Sequence, residues 1–385
     1  MTVGKYTLAA LVLTLLALAS GQSALGAAPT GCNASSSDAT CDSASNPSAN
    51  SGGNTTSNAG PNGACNHRTC VADVDSGLLD EPWFRPCMQC CQDLCERCEW
   101  CTWKADASAM IMERSKPVAQ TVLVDANGAS LFQTSQLNFN DAVGPRISIT
   151  ALDCEGWGFE VNYFGIDGWS AAGEFPNQGN LAVGGVGTPL ALNDVHFASI
   201  SRLYSTECNF RAPLLGNLAF LAGFRWLEMT DSYSAVGTNP TTMNMASGTI
   251  LTHNHMYGFQ VGADGALFQQ ADRWRLNGFV KGGIFLNDAD QATSFNDPNG
   301  LGYGAANNCH SGAAFFGEAG LAVYIQLSKH VSLSGGYEVM FVNNVAQPAN
   351  QLGNTDFSVT PAVTTVDVNS GIFYHGATVG LEVTW

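Results

Sequence analysis

Apolar residues recur at every second position through most of the chain beyond residue 102, and this period restricts the fold more than any other feature. Near the C-terminus Ala377, Val379, Leu381, Val383 and Trp385 are apolar, while Thr378, Gly380, Glu382 and Thr384 are small or polar. As a β-strand such a run has one greasy face and one polar face; as a helix it has neither. Equivalent runs predict ten strands: 103–112, 145–153, 157–166, 195–208, 218–228, 251–263, 273–286, 314–327, 331–342 and 371–385. Each has about the length that a tilted strand needs to cross a bilayer.

The connections between these strands alternate in length. Those after odd-numbered strands are long, and those after even-numbered strands are short turns such as Ser328, Lys329 and His330. A sandwich has no reason to place every long connection on one side, whereas a membrane barrel does. The expected fold is therefore all-β: a transmembrane up-and-down antiparallel β-barrel. Ten strands are preferred and twelve are the alternative, because Asn127 and Gly128 mark a turn inside a further hairpin over 118–139.

Composition agrees with this expectation. Only 12% of the 385 residues are charged while 45% are hydrophobic, and Gly alone supplies 42. Beyond the first twenty-five residues no apolar run approaches the ~18 residues of a membrane-spanning helix. The 15 Lys and Arg against 32 Asp and Glu leave a net charge of -17. That charge opposes binding to nucleic acid or to an anionic bilayer surface and points to cations or small solutes as electrostatic partners.

The N-terminal part differs in kind. Residues 1–27 combine Lys5, an apolar stretch from Leu8 to Ala19 and small residues up to Ala27, the plan of a secretory signal peptide cleaved near 26–27. Residues 28–86 have the Ser, Asn and Gly composition of a linker. Residues 87–102 form a Cys-rich segment containing Cys87, Cys90, Cys91, Cys95, Cys98 and Cys101. In an exported chain this density implies disulfides, and an odd total of 13 cysteines leaves one for a free thiol or for a disulfide-linked homo-oligomer. The repeated C-x-x-C spacing also suits zinc or iron-sulfur ligation, but thiolates must stay reduced for that. The barrel itself is expected over 103–385.

Trp103 to Ala107, then Gly144, Pro145 and Arg146, then Gly156 to Tyr163, and the closing run Gly380 to Trp385 resemble the planctomycete outer-membrane β-barrel proteins, porin-like relatives of the Legionella-type major outer-membrane proteins. The resemblance covers about 103–385 and rests on strand patterns. It implies an outer-membrane barrel with a pore for small hydrophilic solutes, embedded in outer-membrane lipid. It also implies that the barrel assembly machinery reads the terminal aromatic Trp385. A structural or adhesive barrel with a closed lumen is the alternative.

If odd residues of the last strand face lipid, the in-phase inward set includes Glu160, Arg202, Arg225, Arg275, Lys281, Glu318, Glu338 and Glu382. Such groups either line a pore or pair across a closed interior. Arg202 and Glu382 sit where a strand end in water explains them equally well. His253 and His255 share one face, as a metal site would need, but without a third ligand they read as rim histidines. Asp288, Asp290 and Asp297 suit hard cations, although a solvated acidic rim is the simpler reading. The sequence holds no G-x-S-x-G, H-E-x-x-H or phosphate-loop pattern, so no enzyme activity, catalytic residue or cofactor is expected.

Overall fold

A computed structural model describes residues 102–125, 128–176, 182–183, 192–238, 242–270, 273–298 and 302–385. The signal peptide, the linker and the six cysteines of the Cys-rich segment lie outside the described residues. The barrel strands are β1 (Thr102–Arg114), β2 (Ala142–Leu152), β3 (Gly158–Phe175), β4 (Asn193–Leu215), β5 (Leu218–Thr238), β6 (Met245–Gln270), β7 (Trp274–Asp297), β8 (Gly302–Gln326), β9 (Val331–Val345) and β10 (Ser370–Thr384).

Each strand is antiparallel to its neighbours in sequence, and β1 pairs with both β2 and β10, so the sheet closes without an edge. The seam runs in register from Lys104 opposite Thr384 to Arg114 opposite Tyr374. It ends in a reciprocal pair: the Trp103 amide donates to the Trp385 carbonyl at 2.9 Å, and the Trp385 amide donates back at 3.0 Å. Closure matters because no water inside a bilayer can satisfy an open row of backbone groups.

The predicted hairpin around Gly128 exists but does not enter the barrel. Thr121–Val124 pairs with Ser130–Gln133 and with Ala182–Val183 in a separate three-stranded sheet, which settles the strand number at ten. Short turns join the strands at the other end. At one of them the Asp153 carboxylate accepts the Glu155 and Trp157 amides at 2.9 Å each, and Gly156 supplies the left-handed conformation with φ 86°.

Five central strands are far longer than expected. β6 has 26 residues, β8 has 25, β7 has 24, β4 has 23 and β5 has 21. The segments read as long loops, 230–250 and 287–313, are therefore mostly strand, and the loops at their tips are short. The reason is visible on the outer face of β7. From Leu276 to Leu286 the outward positions are apolar or Gly; then come Asp288 and Asp290. At about 3.3 Å per residue and a tilt of 35–45°, the apolar part is about 25 Å tall, the height of the hydrocarbon band of such barrels. Beyond it the strands continue into water, and the apolar-out pattern that marks a strand in the sequence stops.

The outward apolar side chains are widely exposed, with Phe259 at 78% and Ile284 at 72%. A water-soluble chain does not leave so continuous a belt uncovered. At its upper edge phenolic hydroxyls meet polar groups: Tyr257 donates to Asp288 at 2.5 Å and Tyr204 donates to Asp167 at 2.5 Å. Amphipathic rings at this level form the girdle expected at a bilayer interface. The chain is a ten-stranded transmembrane up-and-down β-barrel.

Two measurements test this frame. The folded protein should migrate faster unheated than boiled on a denaturing gel containing reductant. Ile284→Arg, at mid-belt, should lower the stability of lipid-refolded protein by about 2–4 kcal/mol in denaturant titrations, a cost specific to a lipid-facing site. An unaffected midpoint would place Ile284 in water.

Candidate functional site

The strands that turn apolar residues to lipid turn polar ones inward, and in a barrel of ten strands those side chains meet across the lumen. On the inner face a charged network runs through β2 to β9. Lys281 on β7 reaches Glu160 on β3 at 3.2 Å and also pairs with Glu207 on β4. Arg225 on β5 lies 3.3 Å from Glu207 and 2.5 Å from Glu318 on β8. Arg146 on β2 donates to Glu318 at 2.9 Å and to Glu338 on β9 at 2.7 Å. Arg211 on β4 extends the chain, with Glu160 at 2.5 Å and Asp264 on β6 at 2.6 Å.

Neutral groups fill the remaining valences. The Gln260 amide donates to Glu207 at 2.6 Å and to Asn209 at 2.7 Å, and Arg225 Nε donates to Ser205 at 2.8 Å. The side chains of Arg225, Glu207 and Glu318 are each only 1% exposed. Several of these pairs join strands on opposite sides of the barrel, so the network closes the bore instead of lining it.

An apolar slab lies next to the charged layer. Met110, Met112, Phe164, Phe285, Phe316 and Met340 are buried there with Trp169 and Tyr374. The two layers are coupled, because the Arg225 guanidinium stacks 4.1 Å from the Phe316 ring centre and 5.5 Å from that of Phe164. Trp169 is fixed by donating its indole N–H to the Met112 carbonyl at 2.8 Å. Beyond the slab, Arg114 and Asp231 make a buried two-point pair at 2.6 and 3.1 Å, with Arg114 stacked 4.7 Å over Phe139.

The connection after β9 then turns into the mouth. Asn254 holds its backbone from both sides, donating to the Ala346 carbonyl at 2.9 Å and accepting the Ala346 amide at 2.8 Å. Asn287 donates to the Asn344 carbonyl at 3.1 Å, and Pro348, Ala349 and Gln351 are buried.

Seven of the eight inward candidates face the lumen. Arg275 and Glu382 form a separate pair at 2.6 Å toward the short-turn end; Glu160, Arg225, Lys281, Glu318 and Glu338 belong to the network. Arg202 is a correction: it projects from the outer face, 54% exposed, 3.4 Å from Asp167. Within β4 the odd positions from Ser199 to Arg211 are polar except Leu203, while the even ones mix Ile200, Tyr204 and Phe210 with Arg202 and Thr206. That parity was the available signal for Glu207 and Arg211, both missed. Arg146, Asp264 and the pair Arg114–Asp231 were also missed, for they sit at or past the ends of the predicted alternating runs.

His253 and His255 lie on the outer face with their rings stacked at 6.1 Å. No group of three His, Cys, Asp or Glu side chains among the described residues is placed to hold a metal ion. Asp288 accepts from Tyr257 and Ser311, whereas Asp297 is buried, so the three aspartates do not form one rim cluster.

No protein-family model matches this chain. No curated protein matches it either. Three solved structures align with it over about three quarters of its length. The outer-membrane protease OmpT from Escherichia coli aligns over 75% of this chain and 99% of its own, at 11% identity and a TM-score of 0.45. A FadL homologue from Pseudomonas aeruginosa aligns over 74% and 90%, at 9% identity and 0.24. An anion-selective porin from Comamonas acidovorans aligns over 74% and 98%, at 10% identity and 0.16.

Inside and outside ion pairs should differ in weight. Glu318→Gln leaves two buried guanidinium groups short of an anion and should cost about 3–5 kcal/mol. Arg202→Ala, which breaks an exposed pair, should cost under about 1 kcal/mol. Urea unfolding of the detergent-refolded variants reads both, and equal midpoints would contradict the filled lumen.

Proposed function

We propose that the protein is an outer-membrane barrel with a closed resting lumen, which anchors an acidic platform on the outside of the cell. The observation that carries this reading is the set of buried ion pairs spanning the bore, backed by the apolar slab and the inward-turned connection after β9. A small ion crossing the barrel would have to part the ion pairs and displace Phe285, Phe316 and Met340 as well. The long-loop end faces outward, as in bacterial barrels, and the short turns face the periplasm. Outer-membrane lipid covers the belt. No catalytic step is assigned to the chain.

The second reading is porin-like passage of small hydrophilic solutes. It is favoured by the strand-pattern resemblance and by the charged character of the midsection, which hydrates readily once its pairs separate. Conductance distinguishes the two. In a planar bilayer the purified protein should give no stable current steps, and liposomes containing it should not swell in isotonic sugar. Stable steps at low voltage would establish the porin reading.

A further inference from the structure

Where the strands rise past the membrane belt, the interior opens again. Between β4, β5, β6 and β7, beneath the segment from Gln351 to Phe357, lies a cavity of about 80 Å³ that is partly open to the mouth. Its walls include Val195, Phe197, Tyr233, Ile250, Phe295 and Leu352. The rings are ordered against one another: Phe197 meets Tyr233 edge-on at 5.2 Å, and Phe295 meets Phe357 at 6.1 Å.

Protein interiors rarely keep voids larger than a water molecule, and a water inside one needs two to four polar partners. Water is a poor occupant of these walls. Ser247, Thr249, Thr293, Ser294, Gln351 and Thr355 also border it, and one phenol sits among the rings. The Tyr233 side chain is buried, and its hydroxyl makes no hydrogen bond to any described residue. Opposite it in register, the Ser199 hydroxyl is buried and likewise unpaired. An unpaired polar group in an apolar cavity carries a desolvation cost, which a ligand bearing one hydrogen-bonding group would relieve. The cavity has about half the ~150 Å³ of an engineered apolar cavity that takes up benzene, and it is not fully enclosed.

We propose that this cavity is a binding site for a small monocyclic aromatic molecule carrying one hydroxyl group, of the phenol class. The ring packs among Phe197, Ile250 and Phe295, and its hydroxyl pairs with that of Tyr233. The site is separate from the lumen plug, and it holds whether or not the barrel conducts.

Gly248 provides the steric test. A Cβ built there meets nothing closer than 3.9 Å, so Gly248→Leu can send its side chain into the cavity without disturbing the strand. Gly237 is unsuitable, for its Cβ would lie 2.9 Å from Leu192. The full-length protein in detergent would be titrated with 4-fluorophenol and with fluorobenzene, read by ¹⁹F NMR against empty micelles. Wild type should bind both saturably, with the phenol tighter. Tyr233→Phe should weaken 4-fluorophenol about fivefold and leave fluorobenzene unchanged, the loss of one hydrogen bond. Gly248→Leu should abolish both while keeping heat-modifiable migration.

Absent saturable binding to wild type, or undiminished binding to Gly248→Leu, would overturn the site. An unchanged phenol affinity in Tyr233→Phe would overturn the hydroxyl-bearing class.

Discussion

Water is missing from the middle of a bilayer, and most of this structure follows from that lack. Every backbone N–H and C=O at that depth must find a partner within the chain, which leaves a strand only the option of a closed sheet. The seam between β1 and β10 is the place where the condition is met or fails. Its eleven paired positions, with the Trp103–Trp385 pair at the end, turn an open ten-stranded sheet into a ring. The outer face then answers to lipid and the inner face to itself.

A ring of ten strands encloses more space than backbone can fill, so the inner side chains decide what the bore becomes. Small residues would have left a water column. Here Arg and Lys reach across to Glu of opposite sign, Gln260 fills in between with hydrogen bonds, and a slab of Met and Phe follows. Neither layer would close the barrel as well alone. Ion pairs without a dry neighbour would be partly hydrated, and an apolar slab without the stacked Arg225 would have no fixed depth.

The membrane-embedded half of the fold was legible in the sequence, because lipid on one side and polar filling on the other write a period of two. The strand extensions were not. Above the belt the outer face meets water instead of lipid, so the outward Thr230, Ser232, His253 and Asp290 lie in strands that their composition does not announce. The site was legible by parity alone: Lys281, Glu318 and Glu338 followed from the phase of the last strand, and Arg202 failed because that phase was carried into β4 with the wrong parity. What no single strand could disclose was pairing. Which carboxylate meets Arg225 depends on shear and tilt, and these are properties of the closed ring.

The filling itself has a further cause. A buried ion pair is seldom more stable than well-packed apolar residues of the same volume. An interior of Leu and Phe throughout would, however, have made each strand apolar on both faces. Strands of 23 to 26 residues written that way would read as membrane-spanning helices during export, and would stick to one another before closure. Keeping Glu207, Arg225, Lys281 and Glu318 at inward positions holds each strand amphipathic while it is still unpaired. The cost of desolvating those charges falls only at closure, when each meets its counter-ion. The plug therefore reflects the route by which the chain reaches the membrane as much as the barrel that results.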